Sequence, residues 1–169
     1  MKEHTQTELD ELITCPKKFA EPPRRELRLE GNQRRNDMRL RSRDGDREFR
    51  VFVRMHDEFN ENFSIGLVHL PKDGSGELVL LRCNGPHGEY NAHFDPQHPH
   101  AEFHVHRASE EALRAGLRPE KRADRTEHFA SYSEALSYFL REVNIIDAAA
   151  HFPDSSQTSL AFEEQEHSQ

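Results

Sequence analysis

Residues 38–54 read Met38-Arg39-Leu40-Arg41-Ser42-Arg43-Asp44-Gly45-Asp46-Arg47-Glu48-Phe49-Arg50-Val51-Phe52-Val53-Arg54, and this stretch decides the fold. Met38, Leu40 and Ser42 alternate with Arg39, Arg41 and Arg43. Phe49, Val51 and Val53 then alternate with Arg50, Phe52 and Arg54. Successive side chains of a strand point to opposite faces, so a period of two marks two half-buried strands. Asp44-Gly45 between them is a hairpin turn signal. The stretch predicts an antiparallel hairpin with one apolar face and one face lined by arginine.

Working outward, residues 62–70 form another strand candidate, with Gly66 marking a bulge or a close approach. Lys72-Asp73-Gly74-Ser75-Gly76 is a turn. Residues 77–83 are the most apolar strand, and 101–107 read as the last. On the N-terminal side, Thr7 followed by Asp10 resembles a helix cap, and Leu9, Leu12 and Ile13 give the helix a short apolar stripe. That helix should stop near Cys15-Pro16, because the residue before proline disfavours the α region. Pro22-Pro23 is a rigid break. On the C-terminal side, Ser109 caps a helix through Leu113 that ends at Gly116, and a polar connection covers 117–127. Residues 131–143 form the best helix, with Ser133 near its start and Ala135, Leu136, Phe139, Leu140 and Val143 on one face. Residues 148–169 are rich in Ser, Gln and Glu and read as a disordered acidic tail. The expected fold is a single α+β domain over 1–147: an N-terminal helix, a curved and mostly antiparallel sheet of five to six strands, and two C-terminal helices.

The chain has 169 residues, 12 of them His, and a net charge of −8. It contains no run of about 18 apolar residues, so no membrane span is expected. No basic region followed by an apolar one opens the chain, so no secretory signal is expected. Two cysteines, Cys15 and Cys83, cannot build a disulfide scaffold and read as buried small side chains in a cytoplasmic protein. The charge is uneven. Residues 17–54 hold 13 basic and 7 acidic residues, and 11 of the basic ones are Arg. Arginine suits bidentate contacts to phosphate or carboxylate. Residues 55–106 hold 2 basic and 8 acidic residues, and 143–169 hold 5 acids and no Lys or Arg. The overall acidity argues against non-specific coating of DNA, but it leaves room for a local basic face.

Half of the histidines, His87, His93, His98, His100, His104 and His106, lie within 20 residues. His104 and His106 share a strand face. Three chemistries fit. As a metal pair, His104 and His106 would need a third ligand from His87, His93 or Glu102. His104-Val105-His106 with Glu110 is similar to a cupin metal motif, but Glu110 falls in a capped helix where the cupin glutamate sits on the sheet. The expectation is therefore no cofactor. As an acid–base pair, His104 and His106 would make a metal-independent ribonuclease, with Arg82 or Arg107 as the cation. The His-x-Ser/Thr motifs of two-histidine phosphoesterases are absent. As a binding pocket, Arg82, Asn84, His87, Tyr90, Asn91, His104 and His106 would hold phosphate and bases. Arg50 and Arg54 share one strand face and could reach the same ligand.

Asn62-Phe63-Ser64-Ile65-Gly66-Leu67, Arg82-Cys83-Asn84-Gly85-Pro86-His87, Asn91 and His104-Val105-His106 together resemble an uncharacterised family of small bacterial domains. That family shows an Arg-x-Asn-Gly-Pro-His loop, a downstream Asn and a His-x-His strand. The resemblance covers roughly residues 10–147. It implies that Arg82, Asn84, His87, Asn91, His104 and His106 are the shared positions, in a toxin–antitoxin or phage-defence setting. It implies no reaction. The leading expectation is a module that binds RNA or nucleotide phosphate. The alternatives are the metal-independent ribonuclease, or an antitoxin or inhibitor offering an acidic surface to a protein partner encoded nearby.

Overall fold

The computed structural model describes residues 3–87 and 99–154. Helix α1 (Gln6–Thr14) leads into the short strands β1 (Lys17–Phe19) and β2 (Arg28–Glu30). The strands β3 (Gln33–Ser42), β4 (Glu48–His56), β5 (Phe63–Leu70) and β6 (Leu78–Asn84) follow. After a 3₁₀ turn at Pro99–Ala101 come β7 (His104–Arg107), α2 (Glu110–Arg114), β8 (Ala123–Arg125), α3 (Tyr132–Glu142) and α4 (Ala148–His151). The strands form one open eight-stranded sheet in the order β1-β3-β4-β5-β6-β7-β8, with β2 also on β3, and every strand pair is antiparallel. The fold is α+β, as the alternation implies. No helix among the described residues is long and apolar enough to cross a membrane.

The hairpin closes as expected, pairing Leu40 with Phe49 and Met38 with Val51. Gly45 has φ +82°, a conformation that an L side chain rarely adopts. Asp44 holds the turn by accepting from Ser42 Oγ at 2.6 Å and from the Asp46 amide at 3.0 Å.

One sheet face is apolar and lies under the helices. Met38, Leu40, Phe49, Val51, Val53, Ile65, Leu67, Leu81 and Cys83 pack there with Leu9, Leu12 and Ile13 of α1 and Ala135, Phe139, Leu140 and Val143 of α3. At this seam Lys17 is wholly buried. Its ammonium donates to the carbonyls of Ile13 (2.7 Å), Cys15 (2.9 Å) and Val143 (2.9 Å), and it lies 4.8 Å from the centre of the Phe49 ring. The C-terminal ends of α1 and α3 expose unsatisfied carbonyls and carry partial negative charge, so one cation ties both. Cys83 lies buried on the same face, where desolvation pushes its thiol pKa up.

Several boundaries differ from expectation. Thr5, not Thr7, caps α1: its Oγ accepts from the Glu8 amide, and Glu8 returns the bond in a capping box. Gln6 then docks on Glu110 through reciprocal bonds of 3.0 and 3.1 Å, which anchors this first turn. The sheet has eight strands rather than five or six. β1, β2 and β8 are three residues each, too short to display a period. The last long strand starts at His104 rather than 101, because Pro99–Ala101 form the 3₁₀ turn. The expected helix over 131–143 is present as α3, with Ser133 in its first turn and Ser131 as its cap. The packed chain extends past the expected boundary at 147. α4 follows it, and the Phe152 ring centre lies 6.0 Å from that of Phe19, which gives this segment an apolar anchor. The tail beyond residue 154 lies outside the described residues.

Candidate metal centre on the polar sheet face

The second sheet face is built from the alternate residues of the same strands. Register across β3 to β8 lines up Arg35, Arg54, Ser64, Asn84, His104 and Arg125 in one row. The adjacent row is Asp37, Phe52, Gly66, Arg82, His106 and Ala123. Arg82 therefore opposes His106, and Asn84 opposes His104, as their spacing implies.

Four imidazoles meet at the β7 end of these rows. His104 and His106 rise from β7, His87 follows β6, and His100 sits in the 3₁₀ turn. The His87 amide donates to the His100 carbonyl at 3.1 Å and so holds these two residues side by side. Ring centres lie 4.8 Å apart for His87–His100, 5.1 Å for His87–His104 and 4.7 Å for His100–His104, the last pair stacked. His106 lies 5.1 Å from His104 and 5.2 Å from His100. One nitrogen each of His87, His100 and His104 falls within 4.8 Å of the other two.

The inner pair has assigned tautomers. His104 Nδ1 lies 2.7 Å from the Glu102 carbonyl, and His106 Nδ1 lies 3.0 Å from the Glu120 carbonyl. A carbonyl only accepts, so both Nδ1 atoms carry the proton and both Nε2 atoms carry the lone pair. Burial holds both rings neutral, pulling His104 down to about 4 and His106 to about 3. The neighbouring Arg82 charge acts in the same direction. Arg82 Nε donates to Ser64 Oγ at 3.4 Å, and Ser64 donates to Asn84 Oδ1 at 2.7 Å. The Asn84 amide Nδ2 then faces His104 Nε2 at 3.4 Å.

Of the residues expected in a site, Arg82, Asn84, His87, His104 and His106 come together. Asn91, Tyr90, His93 and His98 lie outside the described residues. Arg54 sits in the Asn84–His104 row but three strands away, about 14 Å by the usual strand spacing. Its guanidinium is held by Asp37 at 3.0 and 3.3 Å. Arg50 is held by Glu77 at 2.8 Å. Arg107 projects to the helix side, where it pairs with Glu142 and lies 3.9 Å from Asp10. The Glu102 carboxylate turns to Arg125 at 3.3 Å, so Glu102 serves His104 through its backbone instead. Gly85 does allow a close approach, but to the chain itself: a Cβ there would stand 1.7 Å from the Glu61 carbonyl oxygen.

Sequence reasoning missed His100 as a partner of His87 and His104. It also missed Ser64 and Glu120. His100 carried a signal, since it lies within the histidine-dense segment, but nothing in its spacing marks which ring it meets. Comparison of the chain with protein-family models, curated proteins and solved structures finds no match, so a functional reading rests on this geometry.

Proposed function

We propose that the protein holds a divalent transition-metal ion, zinc being the natural choice, on His87, His100 and His104, and presents it beside Arg82 to a phosphate-bearing ligand such as RNA or a nucleotide. The carrying observation is the convergence of the three imidazole nitrogens within 4.8 Å. Three nitrogens on a tetrahedral zinc at about 2.0–2.1 Å stand roughly 3.3 Å apart, so the rings need to close by at most about 1.5 Å. Metal-bound histidines commonly donate their other ring N–H to a carbonyl, which fixes the tautomer and raises ligand basicity. His104 has that arrangement, and His106 repeats it. Neutral imidazole is the ligand form, and burial favours it here. The Arg82 guanidinium next to a dication favours an anion bridging the two.

The metal-independent ribonuclease is the second reading, supported by the adjacency of His104 and His106 and by Arg82 opposite His106. It is the weaker one, because both rings present a lone pair at Nε2 and both are neutral. That makes two bases and no acid.

The experiment is metal analysis of protein purified without chelator, followed by cobalt(II) substitution. About one ion per chain and a tetrahedral cobalt absorption band are expected. His87→Ala and His104→Ala should each weaken cobalt affinity by more than the roughly 10–100-fold typical of losing an outer hydrogen-bond partner. Arg82→Ala should keep the metal and lose binding of inorganic phosphate. Protein with no bound metal and no cobalt band, but with RNA cleavage abolished by His106→Ala, would replace this reading with the acid–base one.

A further inference from the structure

Away from the histidines, the segment 21–28 and β2, which pairs beside β3, border an open cleft of about 640 Å³ along β3. This is within the roughly 300–1,000 Å³ of ligand sites. Four arginines line it, Arg24, Arg28, Arg35 and Arg39. Three acids line it as well, Glu21, Glu30 and Asp37, and two of them are committed to arginines. Glu30 pairs with Arg35 at 3.2 Å. Asp37 pairs with Arg54 at 3.0 Å and with Arg50 at 3.7 Å. Among the described residues, Arg24, Arg28 and Arg39 have no carboxylate partner, and all three are exposed.

The register makes this arrangement costly. Arg28 is directly opposite Arg35, Arg35 is opposite Arg54, and Arg39 is opposite Arg50. Like charges directly across a strand pair are destabilising. The two bound acids relieve part of that cost, and an added anion would relieve the rest. The chain as a whole is acidic, at −8, so this is a local basin rather than a general stickiness for polyanions.

We infer that this cleft binds the phosphodiester backbone of single-stranded RNA, through Arg24, Arg28 and Arg39. Guanidinium forks match phosphate oxygens two at a time. Phe52 is not a wall of the cleft but stands one strand in from it, opposite the cleft residue Asp37 on the same sheet face, where it provides a surface for a base. Its ring is half-buried and lies over Gly66, where a Cβ would come within 2.1 Å of it. Open sheets that carry aromatic side chains among cations are a recurrent RNA platform, and stacking tolerates any base. An acidic peptide would also satisfy the arginines, but it would make no use of the ring.

The assignment is separate from the metal centre and is tested separately. Full-length protein is titrated with a labelled 12-nucleotide single-stranded RNA at several salt concentrations, with and without EDTA. Binding that weakens steeply with salt and persists in EDTA is expected. The triple variant Arg24→Ala/Arg28→Ala/Arg39→Ala should bind at least 30-fold more weakly, with a flatter salt dependence, while its thermal midpoint is unchanged or higher. Phe52→Ala should bind at least fivefold more weakly. Absence of RNA binding at low salt, an unaffected triple variant, or displacement of the RNA by a poly-glutamate peptide at equal concentration overturns the proposal. So does binding that EDTA abolishes and the triple variant retains, which would put the RNA at the histidines instead.

Discussion

Asn84 Nδ2 faces His104 Nε2 at 3.4 Å across β6 and β7, and the orientation of that amide is set from behind by Ser64. In the metal-free protein a donor therefore points at the same Nε2 lone pair that a metal would take, so coordination has to displace this long contact, and the chain from Arg82 through Ser64 to Asn84 ends on the ring at the heart of the candidate site. Asn84→Asp reverses the polarity of that contact. A carboxylate against Nε2 favours the protonated ring, so the His104 pKa should rise from about 4 toward the ordinary histidine value. Nitrogen-detected NMR titration of the unsubstituted protein and this variant measures it. An unmoved His104 would show that Asn84 does not govern this ring.

The metal-free protein should lose stability on mild acidification. The unfolded chain takes up a proton at each histidine near pH 6.5, whereas the folded chain resists until about 4 at His104 and about 3 at His106. In that interval the unfolded state holds more protons, so stability falls as pH falls from about 6.5. The slope is at most about 1.4 kcal/mol per pH unit for each ring. Urea midpoints at pH 7.5, 5.5 and 4.5 test this. His106→Gln should flatten the dependence, and a wild-type profile that is flat above pH 4.5 would contradict the burial of these rings.

Lys17 makes a stability prediction at the opposite side of the sheet. Burial draws its pKa down to about 8, so the ammonium is still largely protonated at neutral pH. Lys17→Met keeps the methylene packing and removes the donor from three carbonyls. Hydrogen bonds to a charged group are worth about 1.5–3 kcal/mol, so a loss of about 3 kcal/mol is expected. That corresponds to roughly 6–12 °C in thermal midpoint for a chain of this size. A loss below about 1 kcal/mol would mean that the two helix ends do not need the cation.

Gly66 and Gly85 predict different kinds of damage. A Cβ at Gly66 meets the Phe52 ring at 2.1 Å, and a ring can rotate away. Gly66→Ala should cost about 1–3 kcal/mol, mostly recovered by adding Phe52→Leu. At Gly85 the obstacle is the Glu61 backbone at 1.7 Å, which cannot yield without moving β5. Gly85→Ala should be the more destabilising and should displace His87. Chemical denaturation of the three variants distinguishes the cases, and equal costs without rescue would refute the contact at Gly66.

The polar face was largely legible before folding. Arg82 and Asn84 are two apart on one strand, and so are His104 and His106, so each pair shares a face whatever the strand packs against. The hairpin register followed from Asp44-Gly45. Other parts were not legible. Thr5-x-x-Glu8 and Thr7-x-x-Asp10 are both plausible caps, and the docking of Gln6 on Glu110, about a hundred residues away, anchors the turn at Thr5. β8 pairs because β7 offers it an edge, and its three residues carry no pattern of their own. Lys17 read as one more member of a basic block, yet it is the most buried cation of the described chain.

What the sequence determined by itself was the sheet: alternation is local covalent geometry, so it specifies strands, faces and turns without reference to the rest of the chain. Only the tertiary structure decided the site. The His87 amide reaching the His100 carbonyl, the stacking of His100 on His104, and the Glu120 carbonyl that sets the His106 tautomer join residues that are not neighbours in the sequence, and only the local Glu102 contact to His104 does not. The chemistry of those rings depends on desolvation, and a side chain has no burial until the whole chain has folded around it.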